Sequence, residues 1–259
     1  MSLLTRIIES KKSELESEKL RVPLRRVIEM ASSAAPPHAF APSLRRPDRL
    51  NIIAEVKSVS PPPGANRRGA SPVEAARACA AAGAAAISVL TDARFLFGAA
   101  SHLSDVRAAV DVPVLRKDFL FDEYQVYRSR GLGADALLLM ARILNSKMLT
   151  TLIGVSRSLD MEALVEVHTE DDIRKAIDCG ALIIGVNNRD PDTTNVSIDT
   201  SLRLAPLLPP TVVRVSVSGI GTRADIERLR EAGFDACLIG ELLMREEDPG
   251  AVLRRLIDG

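Results

Sequence analysis

Short apolar runs alternate along the chain with longer stretches in which apolar residues recur at helical spacing. The short runs are rich in Val, Ile and Leu and are nearly continuous in hydrophobicity, which is typical of parallel strands covered by helices. We predict strands at NIIAEV (51–56), AISVL (86–90), VLRK (114–117), ALLLM (136–140), ALVEV (163–167), IIGVN (183–187), VRVSV (213–217) and ACLIG (236–240).

Helix start and stop signals occur between these runs. Ser71-Pro72-Val73-Glu74 is a capping box with proline at the first helical position, and Thr169 and Thr222 begin looser versions of it. The repeated order of strand, loop, helix and glycine predicts an α/β protein with a closed (β/α)8 TIM barrel. The alternative is a doubly wound open sheet, which usually has fewer strands. Glycines typical of helix C-caps precede several strands at Gly83, Gly133, Gly180 and Gly233.

The first 50 residues precede the first predicted strand. They contain a charged helix at about 2–19, a second helix at about 23–33 and a proline-rich connector. We predict that residues 1–50 form an N-terminal helical extension packed on the barrel, and that residues 51–259 form the barrel itself.

Composition narrows the class of protein. Lys plus Arg equals Asp plus Glu at 34 each, which argues against a nucleic-acid partner because phosphate binding leaves a basic surface. There is no apolar run long enough to span a membrane, and the three cysteines form no CxxC pair. We expect a cytoplasmic monomer that acts on a small-molecule substrate without a cofactor or metal ion.

Charged and amide side chains stand at the ends of several predicted strands, where barrels of this kind place their active sites. Charged residues at the ends of buried strands are unfavourable unless they are paired or used. Their convergence on one rim therefore favours a functional cluster over a purely structural ion network. These residues are Glu55, Lys57, Lys117, Glu166, Asn187 and Arg189.

Glycine-rich segments follow the last two predicted strands. Ser218-Gly219-Ile220-Gly221 and Gly240 occupy the loops that commonly bind phosphate in these barrels. Ordinary tight turns are the alternative interpretation. The loop after the first strand, residues 58–64, is proline-rich and suited to form a lid or wall.

Longer motifs surround these residues. On them the sequence resembles the indole-3-glycerol phosphate synthase family over essentially the whole chain. Members of this family close an indole ring on an anilino-sugar phosphate, with loss of carbon dioxide and water. The motifs are IAEVK (53–57) followed by SP (60–61), SVLTD (88–92), PVLRKDF (113–119), QVY (125–127), GADALLL (133–139), ALVEVHTE (163–170), IIGVNNRD (183–190), SGI (218–220) and LIGELLM (238–244).

The resemblance implies a role for each residue at the strand ends. Lys117 would be the general acid, Glu166 the general base, and Lys57 would bind substrate and assist. Glu55 and Asn187 would orient groups in the site. The phosphate would be held by Ser218, Gly219 and Gly240.

Several positions depart from the family pattern, mostly at strand ends and loops. Val217 stands where the family usually has Glu, Pro62 replaces a Ser, and Leu242 replaces another Ser. Such changes make the pocket less polar. Further departures are Leu96, Phe97, Ala99, Met140, Pro191 and Thr194. We predict that the substrate contacts Asn187, Arg189, Leu96, Phe97, Phe119, Met140, Val217 and Pro62.

Three functions are compatible with this pattern. The favoured one is a barrel repurposed, by design, for base-catalysed proton abstraction and ring-opening elimination of a flat aromatic substrate (a Kemp elimination). Glu166 or Glu55 would be its base, Phe97 or Phe119 its stacking partner and Lys117 its donor, or a lysine would support retro-aldol chemistry. The second is a native indole-3-glycerol phosphate synthase of tryptophan biosynthesis. The third is a non-catalytic scaffold.

Overall fold

The computed structural model describes residues 3–47, 49–57, 71–190, 193 and 195–258. The predicted wall after the first strand, with Pro62, lies outside the described residues, as do Pro191 and Thr194.

Eight parallel strands close into a barrel in which each strand pairs with the next along the chain and the last pairs with the first. This confirms the predicted TIM barrel. The predicted strand bounds also hold, except that the fifth strand begins one residue earlier, at Glu162, and the eighth ends at Ile239. The strands are β1 (Asn51–Val56), β2 (Ala86–Leu90), β3 (Val114–Lys117), β4 (Ala136–Met140), β5 (Glu162–Val167), β6 (Ile183–Asn187), β7 (Val213–Val217) and β8 (Ala236–Ile239).

Helices surround the barrel and precede it. Two short 3-10 turns, Ala141–Ile143 and Ala205–Leu207, lie after β4 and before β7. Within the described chain, no helix is both long enough and apolar enough to cross a bilayer. The helices are α1 (Leu3–Arg21), α2 (Leu24–Ser33), α3 (Phe40–Ser43), α4 (Pro72–Ala81), α5 (Ala100–Arg107), α6 (Glu123–Gly131), α7 (Ser146–Ser158), α8 (Glu170–Asp178), α9 (Asp199–Leu204), α10 (Arg223–Glu231), α11 (Glu241–Arg245) and α12 (Pro249–Asp258).

The predicted start and stop signals position these helices. The Ser71 hydroxyl accepts a hydrogen bond from the Glu74 backbone N–H at 3.2 Å, and the Glu74 carboxylate accepts one from the Ser71 N–H at 3.0 Å. Thr222 caps α10 in the same reciprocal way, whereas Thr169 caps α8 only through its hydroxyl, which accepts from the Asp172 N–H. The predicted C-cap glycines adopt left-handed backbone conformations, as at Gly83 with φ of 97°.

Side chains alternate between the inside and the outside of the barrel along each strand. The inside is a packed core rather than a pore, and layers such as Ile53, Leu164 and Leu238 fill it. The same alternation points Glu55 of β1 and Glu166 of β5 inward, above this apolar core. The apolar core therefore lies directly below the charged side chains at the ends of the strands.

The N-terminal segment closes the opposite end of the barrel. Phe40 and Leu44 are completely buried against the first residues of the strands, and the Ala41 N–H donates to the Glu162 carboxylate at 2.7 Å. The sequence did not predict α3, because this single turn lies in a proline-rich stretch and is held by tertiary packing. Helix α2 packs on α6 through Val27.

Replacement of Phe40 by alanine tests the role of this plug. The substitution removes a completely buried ring and leaves a cavity, so we expect the free energy of unfolding to fall by about 3–5 kcal/mol. Denaturant unfolding measures the change. The control, Leu20→Ala, alters a side chain that is 87% exposed and should change stability by less than about 0.5 kcal/mol. Equal stabilities of the two variants would contradict the role of the plug.

Candidate active site

A cavity of about 900 Å³ opens at the carboxyl ends of the strands. This is the end at which TIM barrels carry their active sites. The cavity brings together the predicted charged and amide residues from four different strands and the loops that follow them. Those that line it are Glu55, Lys57, Lys117, Glu166, Asn187 and Arg189.

An ion pair between β1 and β3 forms part of the cavity wall. Lys117 Nζ is 2.7 Å from Glu55 Oε2, and the two side chains are only 19% and 16% exposed. Space for Glu55 depends on Gly240, because a Cβ there would lie 2.7 Å from Glu55 Oε1 and 2.9 Å from its Cβ. The glycine after β8 is therefore required by the carboxylate beside it.

The surroundings of Lys117 keep its amino group protonated. Burial by itself would lower the pKa of Lys117, but the carboxylates of Glu55 and Glu166 outweigh burial and the opposing charge of Arg189, so the pKa lies above its ordinary value. The site thus holds an ammonium donor between two carboxylates.

Glu166 is the second carboxylate of the site. It points inward from β5 and is almost completely buried, yet it lines the cavity. In register with it on β6 is Gly185, which has no side chain to cover it. His168 Nε2 lies 3.9 Å from Glu166 Oε1. Glu166 therefore presents a carboxylate to the cavity, close enough to Lys117 for their charges to interact.

The segment after β7 forms a second feature of the cavity. Ser218 and Gly219 both have left-handed backbone conformations, with φ of 69° and 77°. A Cβ on Gly219 would lie 2.6 Å from Val196 Cγ1, so only glycine fits there. The buried amide of Asn188 fixes this turn, since its Nδ2 donates to the Ser218 carbonyl at 2.8 Å. Backbone held in this way is common at functional sites.

The short helix α11 begins directly after Gly240, next to Ser218 and Gly219, because β7 and β8 are neighbouring strands. Loops after strands seven and eight and the start of a short extra helix form the common phosphate site of these barrels. The predicted residues Ser218, Gly219 and Gly240 all line the cavity.

We call the part of the cavity wall formed by Ser218, Gly219 and Gly240 the anion corner. Two arginines that line the same cavity share one carboxylate next to it. Arg189 Nη2 lies 3.1 Å from Glu241 Oε2, and Arg245 is paired with the other oxygen of Glu241. The Asn187 side chain accepts a hydrogen bond from the Arg189 backbone N–H at 3.0 Å. Asn187 therefore orients the start of the segment that carries Arg189.

Apolar side chains form the remaining wall. Phe119 is buried, whereas Phe97 is 71% exposed at the mouth and has a left-handed backbone with φ of 55°. Helix α1 adds Leu4 and Ile7 to this wall, which extends the N-terminal segment to the active end of the barrel. The predicted apolar residues that line the cavity are Leu96, Phe97, Phe119 and Met140.

Val217 occupies a different place from the one expected. It was predicted to contact substrate, but it is completely buried in the inner core, where Val217 Cγ2 would lie 3.2 Å from a Cβ on Gly185. It packs in one cluster with Leu164 and with Leu238, and of these three only Leu238 lines the cavity. The structure therefore provides no direct surface of Val217 to a bound molecule, because the strand turns into the Ser218 loop above it.

The contribution of α1 to the site was missed. A signal for it was present, because Leu4, Ile7, Lys11 and Leu15 follow one another at helical spacing on one face of the predicted helix. A lysine within such an apolar stripe indicates a buried charge that needs a partner.

Comparison with known proteins gives one consistent family. The family model described as indole-3-glycerol phosphate synthase matches residues 4–256. A protein of that name from Roseiflexus sp. (strain RS-1) is 42% identical over 266 residues and covers 100% of this chain and 99% of its own. Those of Desulfosudis oleivorans and Chloroherpeton thalassium are 43% and 44% identical, covering 98% and 95% of this chain and 98% and 96% of their own.

Solved structures with low sequence identity share the fold. A 3-hexulose-6-phosphate synthase superposes with a TM-score of 0.65 at 14% identity, covering 81% of this chain and 98% of its own. A thiamine phosphate pyrophosphorylase from Pyrococcus furiosus gives 0.60 at 15% identity, covering 84% and 96%. At such identities the likeness concerns the barrel alone.

The dependence of Glu55 on Gly240 can be tested by Gly240→Ala. The added methyl group would displace the Glu55 carboxylate from Lys117, and loss of that partner should lower the pKa of Lys117. NMR titration of labelled lysine side chains measures it. Gly221→Ala is the matched control, because its Cβ would meet nothing closer than Asp225 Oδ2 at 3.9 Å. An unchanged pKa in Gly240→Ala would contradict the proposed crowding.

Proposed function

The chain belongs to the indole-3-glycerol phosphate synthase family, and on that basis we propose that it catalyses indole-ring closure on an anilino-sugar phosphate, with loss of carbon dioxide and water. The observation that carries the proposal is the Lys117–Glu55 pair at 2.7 Å facing Glu166 in one cavity. The cavity combines an acid, a base, an anion corner and an apolar wall.

We propose that Lys117 is the general acid. Ring closure and loss of water require a proton on an oxygen that must leave, and a protonated amine in a closed site can supply it. The raised pKa of Lys117 keeps this proton in place until a bound molecule accepts it. Glu55 holds the Lys117 ammonium at the cavity wall. When Lys117 is protonated again, the Glu55 carboxylate balances its positive charge.

Glu166 is the general base in this proposal. Formation of the aromatic indole ring requires removal of a proton, and the Glu166 carboxylate lines the cavity on the side opposite β1. The carboxylate is close enough to Lys117 for their charges to interact. A proton taken up by Glu166 therefore lies near the amine that must be reprotonated.

Binding groups surround this pair. We propose that the phosphate binds at the Ser218 turn and the start of α11, and that the backbone N–H groups of Gly219 and Ile220 contribute. The N–H of Ser218 already donates to the Leu238 carbonyl at 3.3 Å. Lys57 lines the cavity and would add positive charge toward the substrate. The aromatic ring would lie against Phe119 and its apolar neighbours.

The repurposed barrel has less support. It was favoured because Val217 appeared to remove a charge from the pocket, yet Val217 lies beneath the cavity. Lys117, Glu55 and Glu166, to which the resemblance assigns the acid, the orienting and the base roles, are all present, although the Glu usual at position 217 is replaced by Val. Relatives that share more than 40% identity over nearly the whole chain carry the synthase name.

Substitution of Glu166 by glutamine tests the proposed base. Because the amide cannot take up a proton, kcat for formation of the indole product should fall by roughly 10²–10⁴-fold, as followed by indole fluorescence. Glu170→Gln is the matched control, since Glu170 is exposed at the start of α8 and should leave kcat unchanged.

The same assay separates the alternatives. Wild-type protein should convert the anilino-sugar phosphate and show no elimination of benzisoxazole above that of Glu166→Gln. Elimination of benzisoxazole that depends on Glu166, without indole formation, would favour the repurposed barrel. Absence of both activities in the wild type would favour the scaffold.

A further inference from the structure

A buried lysine connects the N-terminal helix to the active end of the barrel. Lys11 of α1 is 6% exposed. Its Nζ lies 3.2 Å from Asp92 Oδ2, 3.2 Å from Asp118 Oδ1 and 3.1 Å from Glu14 Oε2. Asp92 follows β2 and Asp118 follows β3 directly after Lys117. One ammonium therefore joins α1 to two separate segments of the barrel, the one after β2 and the one after β3.

Asp92 shapes the loop that forms the apolar wall. Its Oδ1 accepts hydrogen bonds from the backbone N–H groups of Phe95 at 2.5 Å and Leu96 at 3.0 Å, while its other oxygen faces Lys11. A second link runs parallel, because Arg94 donates to the Ser10 hydroxyl at 2.7 Å. The loop after β2 and helix α1 are thus joined at two neighbouring points.

Asp118 anchors the same ammonium to the barrel. Its Oδ2 accepts hydrogen bonds from Thr91 Oγ1 at 2.6 Å and from Arg116 at 3.0 Å. Burial alone would raise the pKa of Asp118, but Arg116 and Lys11 outweigh it and the pKa lies below its ordinary value. The charges of Lys11 and Arg116 balance those of the two aspartates, so the cluster is tolerated in a buried place.

We propose that Lys11 is a positioning residue that assembles the apolar wall for the aromatic half of the substrate. Leu4 and Ile7 come from α1, whereas Phe95 and Leu96 come from the loop after β2, and all four line the cavity. Lys11 holds these two surfaces against each other. The choice of an aromatic ligand rests on the proposed function, but the assembly of the wall does not.

Two ligands distinguish binding at the apolar wall from binding at the proposed phosphate site. Indole-3-glycerol phosphate contains the aromatic and the phosphate parts, whereas glycerol 3-phosphate lacks the ring. In Lys11→Met we expect the affinity for indole-3-glycerol phosphate to fall by roughly tenfold, about 1.4 kcal/mol, and that for glycerol 3-phosphate to change by less than about twofold. In turnover, KM should rise more than kcat falls. The exposed neighbour in Lys12→Met is the matched control.

Amide hydrogen exchange tests the assembly without any ligand. Lys11→Met, a change in α1, should increase exchange in residues 93–98 of the loop after β2. Asp92→Asn, a change in the segment after β2, should increase exchange in residues 4–10 of α1. Asp92→Asn retains an Oδ1 acceptor for Phe95 and Leu96, so it removes the charge and leaves the loop hydrogen bonds possible. The variant is therefore a second test if Lys11→Met folds poorly.

The outcomes are distinct. Unchanged exchange across the two elements in both variants would overturn the inference, and so would an equal loss of affinity for both ligands. A wild-type protein that fails to bind indole-3-glycerol phosphate would overturn the proposed function, while the exchange measurement would still decide the role of Lys11.

Discussion

The ion pair between Lys117 and Glu55 is the interaction on which the site depends. A lysine and a carboxylate at the ends of buried strands are stable there because each compensates the other, and Glu166 adds a second negative charge. The pair also constrains its surroundings, because Glu55 leaves no space for a side chain at Gly240. The residue after β8 is therefore a glycine because Glu55, the partner of Lys117, occupies the space that a side chain would need.

The barrel places this pair above a packed apolar core, and the N-terminal segment lies at both ends of the barrel. Inward side chains such as Leu164 and Leu238 fill the core below it, and Phe40 closes the other end. The N-terminal segment contributes at both ends, since α3 plugs the bottom and α1 covers the top. These layers place the charged groups of Lys117, Glu55 and Glu166 directly above an apolar core, where charges interact more strongly than in water.

Those parts of the fold and of the site that depend on local periodicity could be predicted from the sequence. Strands, caps and the convergence of Glu55, Lys117 and Glu166 follow from alternation and from the rule that these barrels act at strand ends. How deep a side chain lies relative to the cavity could not be predicted. Val217 lies one residue before the Ser218 turn, and only the packing of neighbouring strands shows that it is below the cavity. Helix α3 and the partners of Lys11 depend on contacts between distant segments, which no local pattern encodes.

A crystal structure of the wild-type protein with indole-3-glycerol phosphate would test the central claim most directly. The account predicts the phosphate at the Ser218 turn and the start of α11, and the indole ring between the apolar wall and the Lys117–Glu166 side of the cavity. It also predicts that Lys117 remains within hydrogen-bond distance of Glu55 or of the ligand. An indole ring placed outside this cavity, or a phosphate bound away from Gly219, would contradict it.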